Sequence, residues 1–267
     1  MPGTTFSRVV FMCHAPIVIP SIGGSRAGQC AATSKAMQDA AKSIVDAGAD
    51  RVVLLDPHLL HSPSAYTCVE MQANMGGSFK QFGRGDLTVG FPQDPEFCRH
   101  LIKSAAENHF ALDALKTDEL DHGALVPLWF LQAAGFKGPV CVIGFPWRSS
   151  QESHIEFGRF LGQTCGGYAG KTAMIASGDM SHRLQLGAPS GYHPDAHKFD
   201  KYFVECVEAG ELAKASTLPE DLREIAAEDS SESMAIATGA VGDVAPTAKV
   251  LSYEAPFGVG YMEAILA

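Results

Sequence analysis

Short apolar runs alternate along the chain with segments whose apolar residues recur at helical spacing. The runs are bounded by glycine, proline or polar residues, which is typical of buried strands. The predicted strands are 7–12, 51–55, 139–145, 171–176, 249–253 and 258–266. The predicted helices are 29–47, 95–108, 126–134, 153–165, 197–208 and 222–239.

This alternation predicts an α/β fold, because strands separated by helices of this length are joined by crossover connections. We expect a single domain over residues 1–267, with a central, mostly parallel or mixed sheet and helices on both faces. The longest irregular stretch is 62–94, rich in Gly, Ser and Pro. A loop of this length in a compact domain commonly shapes a binding site.

The composition of the chain argues against several classes of protein. The net charge is −10 and no cluster of Lys and Arg occurs, so nucleic acid is not an expected partner. The seven cysteines are scattered and never form a C-x-x-C pair, which argues against a disulfide framework or a structural zinc site. No apolar run reaches the roughly 18 residues of a membrane span. The first residues show no charged segment followed by an apolar stretch, so we do not expect a secretory signal. We therefore expect a cytoplasmic protein with no membrane partner.

Histidines stand where predicted strands end. His14 follows the first strand, His58 the second, and His182 the fourth, while His122 lies in the loop that leads into a helix. A single histidine at a strand end is more often structural than functional. Ligands of open α/β sheets, however, bind at the carboxyl ends of strands, so four such histidines predict a metal or acid–base site. Imidazole chemistry alone leaves zinc hydrolysis, iron oxygenation and proton transfer open.

Six motifs in a fixed order narrow this choice. They are CHAP at 13–16, VVLLDPH at 52–58, DHGALVPL at 121–128, ASGDMSH at 176–182, EDSSESMAIATGA at 228–240 and SYEAPFGVGYMEA at 252–264. With these motifs the chain resembles the class III extradiol dioxygenases, the superfamily of the protocatechuate 4,5-dioxygenase catalytic subunit, to which Memo-like proteins are also related. The resemblance covers nearly the whole chain.

The resemblance implies a site in which His14, His58 and Glu232 hold Fe(II). Two histidines and one carboxylate leave open positions on the ion and suit non-heme Fe(II) oxygenases. It further implies that His182 is the acid–base residue and that His122 contacts substrate or bound oxygen. Asp179 is expected to orient His182.

Two ligand assignments stay open at this point. His61 lies three residues after His58 and is the alternative second histidine. Glu228 is the alternative to Glu232, although a carboxylate at the start of a helix is usually a capping group. Memo-like relatives have a cysteine at the position of the carboxylate, so a glutamate there favours the iron oxygenases.

The expected function is therefore Fe(II)-dependent opening of a catechol-type or aminophenol-type ring by O₂. The alternatives are a Memo-like metal-binding protein without dioxygenase activity and a zinc-dependent hydrolase on the same fold. Arg84 and Arg148 lie in loop-like segments and are candidates to receive a substrate carboxylate. A homo-oligomer is compatible with the resemblance, and a small partner subunit is not excluded by it.

Overall fold

The computed structural model describes residues 5–59 and 62–267 and contains an eight-stranded mixed sheet with a separate two-stranded hairpin. The strands of this part of the chain are β1 (Arg8–Met12), β2 (Arg51–Asp56), β3 (Tyr66–Glu70), β4 (Met75–Phe79), β5 (Arg84–Phe91), β6 (Leu112–Lys116), β7 (Val140–Gly144), β8 (Thr172–Ser177), β9 (Lys249–Glu254) and β10 (Tyr261–Ile265).

Helices connect most of these strands. The α-helices of the described residues are α1 (Pro20–Gly23), α2 (Ala31–Asp46), α3 (Pro95–Glu107), α4 (His122–Ala133), α5 (Gln151–Gly166), α6 (His197–Glu208), α7 (Leu212–Ser216), α8 (Glu220–Ala226) and α9 (Ser231–Val241). None of the helices in 5–59 and 62–267 has the length and apolar character needed to cross a membrane.

The large sheet has the strand order β6-β3-β7-β2-β8-β1-β10-β9. Its four central strands, β7, β2, β8 and β1, run parallel to one another. The pair β3 and β6 runs against β7, and β10 runs against both β1 and β9. The prediction of a mostly parallel or mixed sheet is confirmed, and the carboxyl ends of β2, β8 and β1 meet at one edge.

Apolar cores cover both faces of the sheet, as expected for an α/β fold. In β1, Val9 and Phe11 point into the core formed with α3, α5, α6 and α9, because alternate strand residues face opposite sides. Val10 and Met12 point into the other core, with α2, α4 and the β4–β5 hairpin. All seven cysteines are buried and free, in agreement with the argument from the sequence against a disulfide framework.

The predicted loop 62–94 is wrong in part, because it contains β3, β4 and β5. β3 is almost entirely buried and joins the main sheet. β4 reads Met-Gly-Gly-Ser-Phe, and glycine and serine lack the preference for strands that β-branched and aromatic residues have. For this reason the composition of the segment did not predict the hairpin. The strand β6 was also not predicted.

The prediction of one continuous helix over 222–239 is wrong, because this segment forms two helices, α8 and α9. The break between them is important for the site. α8 ends at Ala226, and Ala227 takes a left-handed conformation with φ of 53°. The Glu228 carboxylate then accepts backbone hydrogen bonds from Ser230 (2.6 Å) and Ser231 (2.8 Å) and starts α9. The turn between the helices carries Asp229 to the carboxyl edge of the sheet.

The close contact of α5 with α9 generates the first prediction. A Cβ at Gly158 of α5 would lie 1.9 Å from the carbonyl oxygen of Ile236 in α9, so Gly158→Ala forces the two backbones apart. We expect a loss of about 2 kcal/mol or more in the free energy of unfolding, measured with urea. The control is Gly162→Ala, one turn along α5, whose added Cβ would meet no atom closer than 3.6 Å. It should be neutral or stabilising by up to about 1 kcal/mol. Equal effects of both variants would contradict this packing.

Candidate metal centre

Three neighbouring parallel strands deliver polar residues to the same edge of the sheet. His14 lies just beyond the end of β1, His58 just beyond β2, and Asp179 just beyond β8. His122 is the first residue of α4, whose start is capped by the Asp121 carboxylate accepting from the backbone N–H of Gly123 at 2.8 Å. The capping places the helix start, and with it His122, beside the strand ends.

The structure brings three histidines together at this edge. The ring centroids of His14 and His58 are 4.6 Å apart, and His122 lies 4.5 Å from His58 and 5.6 Å from His14. Each ring offers one nitrogen, and these nitrogens lie within 4.8 Å of one another. Imidazoles gathered in this way form a candidate metal centre.

The orientation of His14 follows from a chain of hydrogen bonds. The Ser177 hydroxyl donates to the carbonyl oxygen of Gly123 at 2.6 Å. The oxygen of Ser177 is therefore left to accept from Nδ1 of His14, which lies 3.1 Å away. With Nδ1 engaged in this way, Nε2 is the nitrogen that faces the site, and it lies 3.4 Å from Oδ2 of Asp229.

His58 is held in a similar way. Its Nδ1 lies 3.4 Å from a carboxylate oxygen of Asp121, and its Nε2 lies 3.4 Å from Oδ2 of Asp229. Two imidazole Nε2 atoms thus approach the same carboxylate oxygen. The alternative ligand His61 lies outside the described residues.

Asp229 is fixed by two hydrogen bonds with Asp179. The backbone N–H of Asp179 donates to Oδ1 of Asp229 at 2.7 Å, and the N–H of Asp229 donates to the carbonyl oxygen of Asp179 at 3.2 Å. Gly178 permits this approach, since a Cβ there would lie 2.7 Å from Cα of Ser230. Because Oδ1 is occupied, Oδ2 is the oxygen that faces the histidines.

The two glutamates considered from the sequence are engaged elsewhere. Glu228 accepts from the Arg223 guanidinium at 2.6 Å while it caps α9, which is the structural role anticipated for it. Glu232 also accepts from Arg223, and it lines a second cavity of about 220 Å³ that Asp229 lines as well. Within the described chain, the carboxylate that faces both His14 and His58 is therefore Asp229.

Sequence reasoning missed Asp229 because it treated the segment as continuous helix. The signal that could have found it is the run Asp229-Ser230-Ser231, since Asp and Ser favour turns and helix starts over helix interiors.

His182 lines the same cavity as the other three histidines. Its Nδ1 lies 2.9 Å from the carbonyl oxygen of Ala227, so Nδ1 carries a proton and donates it there. Nε2 is left with a free lone pair. From the sequence we expected Asp179 to orient His182, but the hydrogen bond of the His182 ring is to this backbone carbonyl. The Asp179 carboxylate accepts from the backbone N–H of His14 at 2.9 Å.

Carboxylates dominate the electrostatics around the two paired histidines. Burial alone lowers the pKa of His14, but Asp179 and Asp229 outweigh burial and raise it to about 9. Burial likewise lowers the pKa of His58, and its interactions with Asp121 and Asp229 raise it to about 11. Although burial favours the neutral form of Asp229, the histidines hold its pKa well below the usual range. The site therefore favours positive charge between these groups, as a cation-binding site does.

His122 behaves differently from its neighbours. Burial, together with the charges of His58 and His14, lowers its pKa to about 4. Near neutral pH it is therefore an uncharged imidazole, able to donate or accept one hydrogen bond at the cavity surface.

A cavity of about 480 Å³ opens above these residues. Its polar wall consists of the four histidines with Asp179. The remaining lining residues are mainly apolar and are Ala15, Pro16, Ile17, Ile22, Phe82, Pro189, Val259 and Tyr261, with Arg26 as the exception. A small aromatic compound fits a cavity of this size and character.

Two known proteins are similar to this chain in sequence or in structure. Protein CA_C1420 of Clostridium acetobutylicum is 27% identical over 257 residues, in a match that covers 93% of this chain. The match covers 54% of that protein, so the chain spans about half the length of this curated relative. The uncharacterized protein JW3007 of Escherichia coli K12 superimposes with a TM-score of 0.62 at 14% identity, covering 97% of this chain and 99% of the other. That likeness concerns the fold alone.

The family model described as the catalytic LigB subunit of aromatic ring-opening dioxygenase matches residues 8–263. The match includes His14, His58, His122, His182 and Asp229. By this match the chain belongs to the family of the catalytic LigB subunit of aromatic ring-opening dioxygenases.

Proposed function

We propose that the protein is a non-heme Fe(II)-dependent extradiol dioxygenase that opens a catechol-type or aminophenol-type ring with O₂. The observation that carries the proposal is the approach of two imidazole Nε2 atoms, from His14 and His58, to Oδ2 of Asp229 at 3.4 Å each. Membership of a family of ring-opening dioxygenases supports the same reading.

The donor set fits a ferrous ion, which His14, His58 and Asp229 would hold in place of the expected Glu232. Nδ1 of His14 faces Ser177 and Nδ1 of His58 faces Asp121, so each histidine presents Nε2 to Asp229. A metal ion bound there would take the place of the protons that the carboxylates favour on these nitrogens. Two nitrogens and one carboxylate leave positions for further ligands. When bound, ferrous iron would bring diol and O₂ together and provide the path for electrons between them.

His182 is the residue suited to move the substrate proton. Its Nδ1–H is fixed on the carbonyl of Ala227, so the free Nε2 can accept a proton from a substrate hydroxyl within the cavity. The same nitrogen can return that proton to the product.

His122 acts as a neutral hydrogen-bonding group. Its low pKa keeps it uncharged, so it can stabilise developing negative charge on an oxygen atom without adding another cation to the site. The apolar wall opposite, which includes Ile17, Ile22 and Val259, packs against an aromatic ring and excludes water.

One observation favours a second candidate. His14, His58 and His122 alone form a cluster of three imidazoles, and three-histidine sites hold catalytic zinc in some hydrolases. A zinc-dependent hydrolase would use such a cluster without the electron transfer that iron allows. The two functions differ in the metal required and in the need for O₂.

Anaerobic reconstitution with Fe(II), followed by measurement of O₂ uptake and visible absorbance, tests the proposal. With a panel of catechols and aminophenols, the Fe(II) protein should consume O₂ and form a coloured ring-opened product, while the protein without metal or loaded with Zn(II) should not. Fe(II) binding without O₂ consumption on the whole panel, together with Zn(II)-dependent ester hydrolysis, would contradict it and favour the hydrolase.

The second prediction concerns His182. His182→Ala should retain Fe(II) binding, because its Nε2 is not among the three converging atoms, and should lose about 100-fold or more in kcat. The control is His197→Ala, an exposed histidine at the start of α6, which should turn over at the wild-type rate. Near-normal kcat in iron-loaded His182→Ala would refute the proton-transfer role.

A further inference from the structure

Three of the seven cysteines lie together in the core that the sheet forms with α3 and α5. Cys68 is in β3, Cys98 in α3 and Cys141 in β7. Sγ of Cys141 lies 3.5 Å from Sγ of Cys68 and 3.8 Å from Sγ of Cys98. All three sulfur atoms lie within 4.8 Å of one another. These three residues form the thiol cluster.

The fold explains why the three sulfur atoms meet. β3 runs antiparallel to β7 with Cys68 opposite Ile143, so Cys141 lies two residues further along on the same face of the sheet. α3 contacts β3, and Cys98 is on the buried side of this helix, one turn before Leu101. The cluster is therefore a product of tertiary packing, and no short motif in the sequence corresponds to it.

A disulfide bond does not suit this arrangement. Diagonal neighbours on antiparallel strands, such as Cys68 and Cys141, have Cα atoms roughly 7–8 Å apart. A disulfide requires a Cα separation of about 4.4–6.8 Å. Joining these two cysteines would therefore distort the pairing of β3 with β7, and both thiols are free in the structure.

The spacing of the sulfur atoms does suit a metal ion. A bond between a metal ion and a thiolate is about 2.3 Å long, so three sulfur atoms around one ion in a plane are about 4.0 Å apart. The two measured separations, 3.5 and 3.8 Å, are slightly shorter than this. Small rotations of the three side chains would admit an ion at their centre without any movement of the backbone.

The type and number of the ligands select the ion. Ligation by sulfur alone favours soft cations, among them Cu(I) and Zn(II). Zn(II) takes four ligands in its structural sites, and no fourth His, Cys, Asp or Glu atom joins the cluster within 5–59 and 62–267. Water is excluded as well, because Cys68, Cys98 and Cys141 are only 0, 4 and 2% exposed. Cu(I) accepts three sulfur ligands, so the cluster favours Cu(I).

Binding of Cu(I) has to displace protons from the cluster. The neighbouring thiols and burial raise the pKa of Cys141 well above its usual range, so the metal-free cluster holds protonated thiols. Each thiol that becomes a thiolate releases its proton to the solvent, and the cation compensates part of the negative charge that results. Cys98 lies in the first turn of α3, where the helix dipole also favours negative charge.

We propose that Cys68, Cys98 and Cys141 form a binding site for Cu(I), in addition to the iron site of the proposed function. The ion would link β3 and β7 to the helix that covers them, and its binding should therefore stabilise the fold. None of the three cysteines lines the cavity with the four histidines. The inference is therefore independent of the ring-opening function.

Titration with Cu(I) under anaerobic and reducing conditions tests the proposal. The metal-free chain of 267 residues competes for Cu(I) with the chelator bathocuproine disulfonate, whose absorbance reports the distribution of the ion. X-ray absorption at the copper edge then identifies the ligands, and the wild type should show three sulfur atoms at about 2.3 Å. The double variant His14→Ala, His58→Ala removes binding at the histidines and should retain the sulfur-bound ion.

Cys98→Ser and Cys141→Ser should each lower the affinity for Cu(I) by at least about tenfold, because each removes one of three ligands. The matched control is Cys206→Ser, which changes a buried cysteine of the same core outside the cluster and should bind Cu(I) like the wild type. Cu(I) should raise the Tm of the wild type and of Cys206→Ser and leave that of Cys141→Ser unchanged.

Equal affinity for Cu(I) in Cys141→Ser and the wild type would overturn the proposal. So would copper bound through nitrogen alone, or a wild type that takes no Cu(I) from the chelator. Thermal unfolding of the metal-free variants checks that they fold. If the serine variants do not fold, the absorption spectrum of the wild type decides, since coordination by three sulfur atoms supports the site and any other coordination refutes it.

Discussion

The site depends on one contact, the approach of Oδ2 of Asp229 to Nε2 of both His14 and His58. The three groups come from separate parts of the chain, and each is held from behind by its own hydrogen bonds. Ser177 fixes His14, Asp121 faces the far nitrogen of His58, and the backbone of Asp179 holds the other oxygen of Asp229. Burying a carboxylate between two imidazoles is costly unless positive charge is present, as protons or as a metal ion.

The fold explains why these groups meet. β2, β8 and β1 are adjacent and parallel, so the residues that follow them converge at the carboxyl edge of the sheet, the usual ligand site of open α/β folds. Asp229 arrives from the other direction, on the turn between α8 and α9. The same turn supplies the Ala227 carbonyl that orients His182, so the turn between α8 and α9 positions two side chains of the candidate site.

The sequence was sufficient to predict the elements with strong periodicity and the edge at which ligands bind. The central strands and most of the flanking helices lie within a few residues of the predicted bounds, because buried apolar runs and helical spacing are local signals. His14, His58, His122 and His182 surround one cavity for the same reason, since each stands at a strand end or helix start. Asp229 was not predicted because the helix break beside it depends on the left-handed conformation of Ala227 and on the capping carboxylate of Glu228. The pattern of apolar residues shows neither of these.

The identity of the carboxylate is the point on which this account differs from the family resemblance, and metal binding by two matched variants tests it most directly. Fe(II) affinity should be measured anaerobically for Asp229→Asn and Glu232→Gln, with unfolding of the metal-free proteins checking that both fold. Asp229→Asn should bind Fe(II) at least about tenfold more weakly than the wild type, because it removes a charged ligand, while Glu232→Gln should bind it with nearly wild-type affinity. Loss of the metal in Glu232→Gln and its retention in Asp229→Asn would contradict the account and restore Glu232 as the ligand.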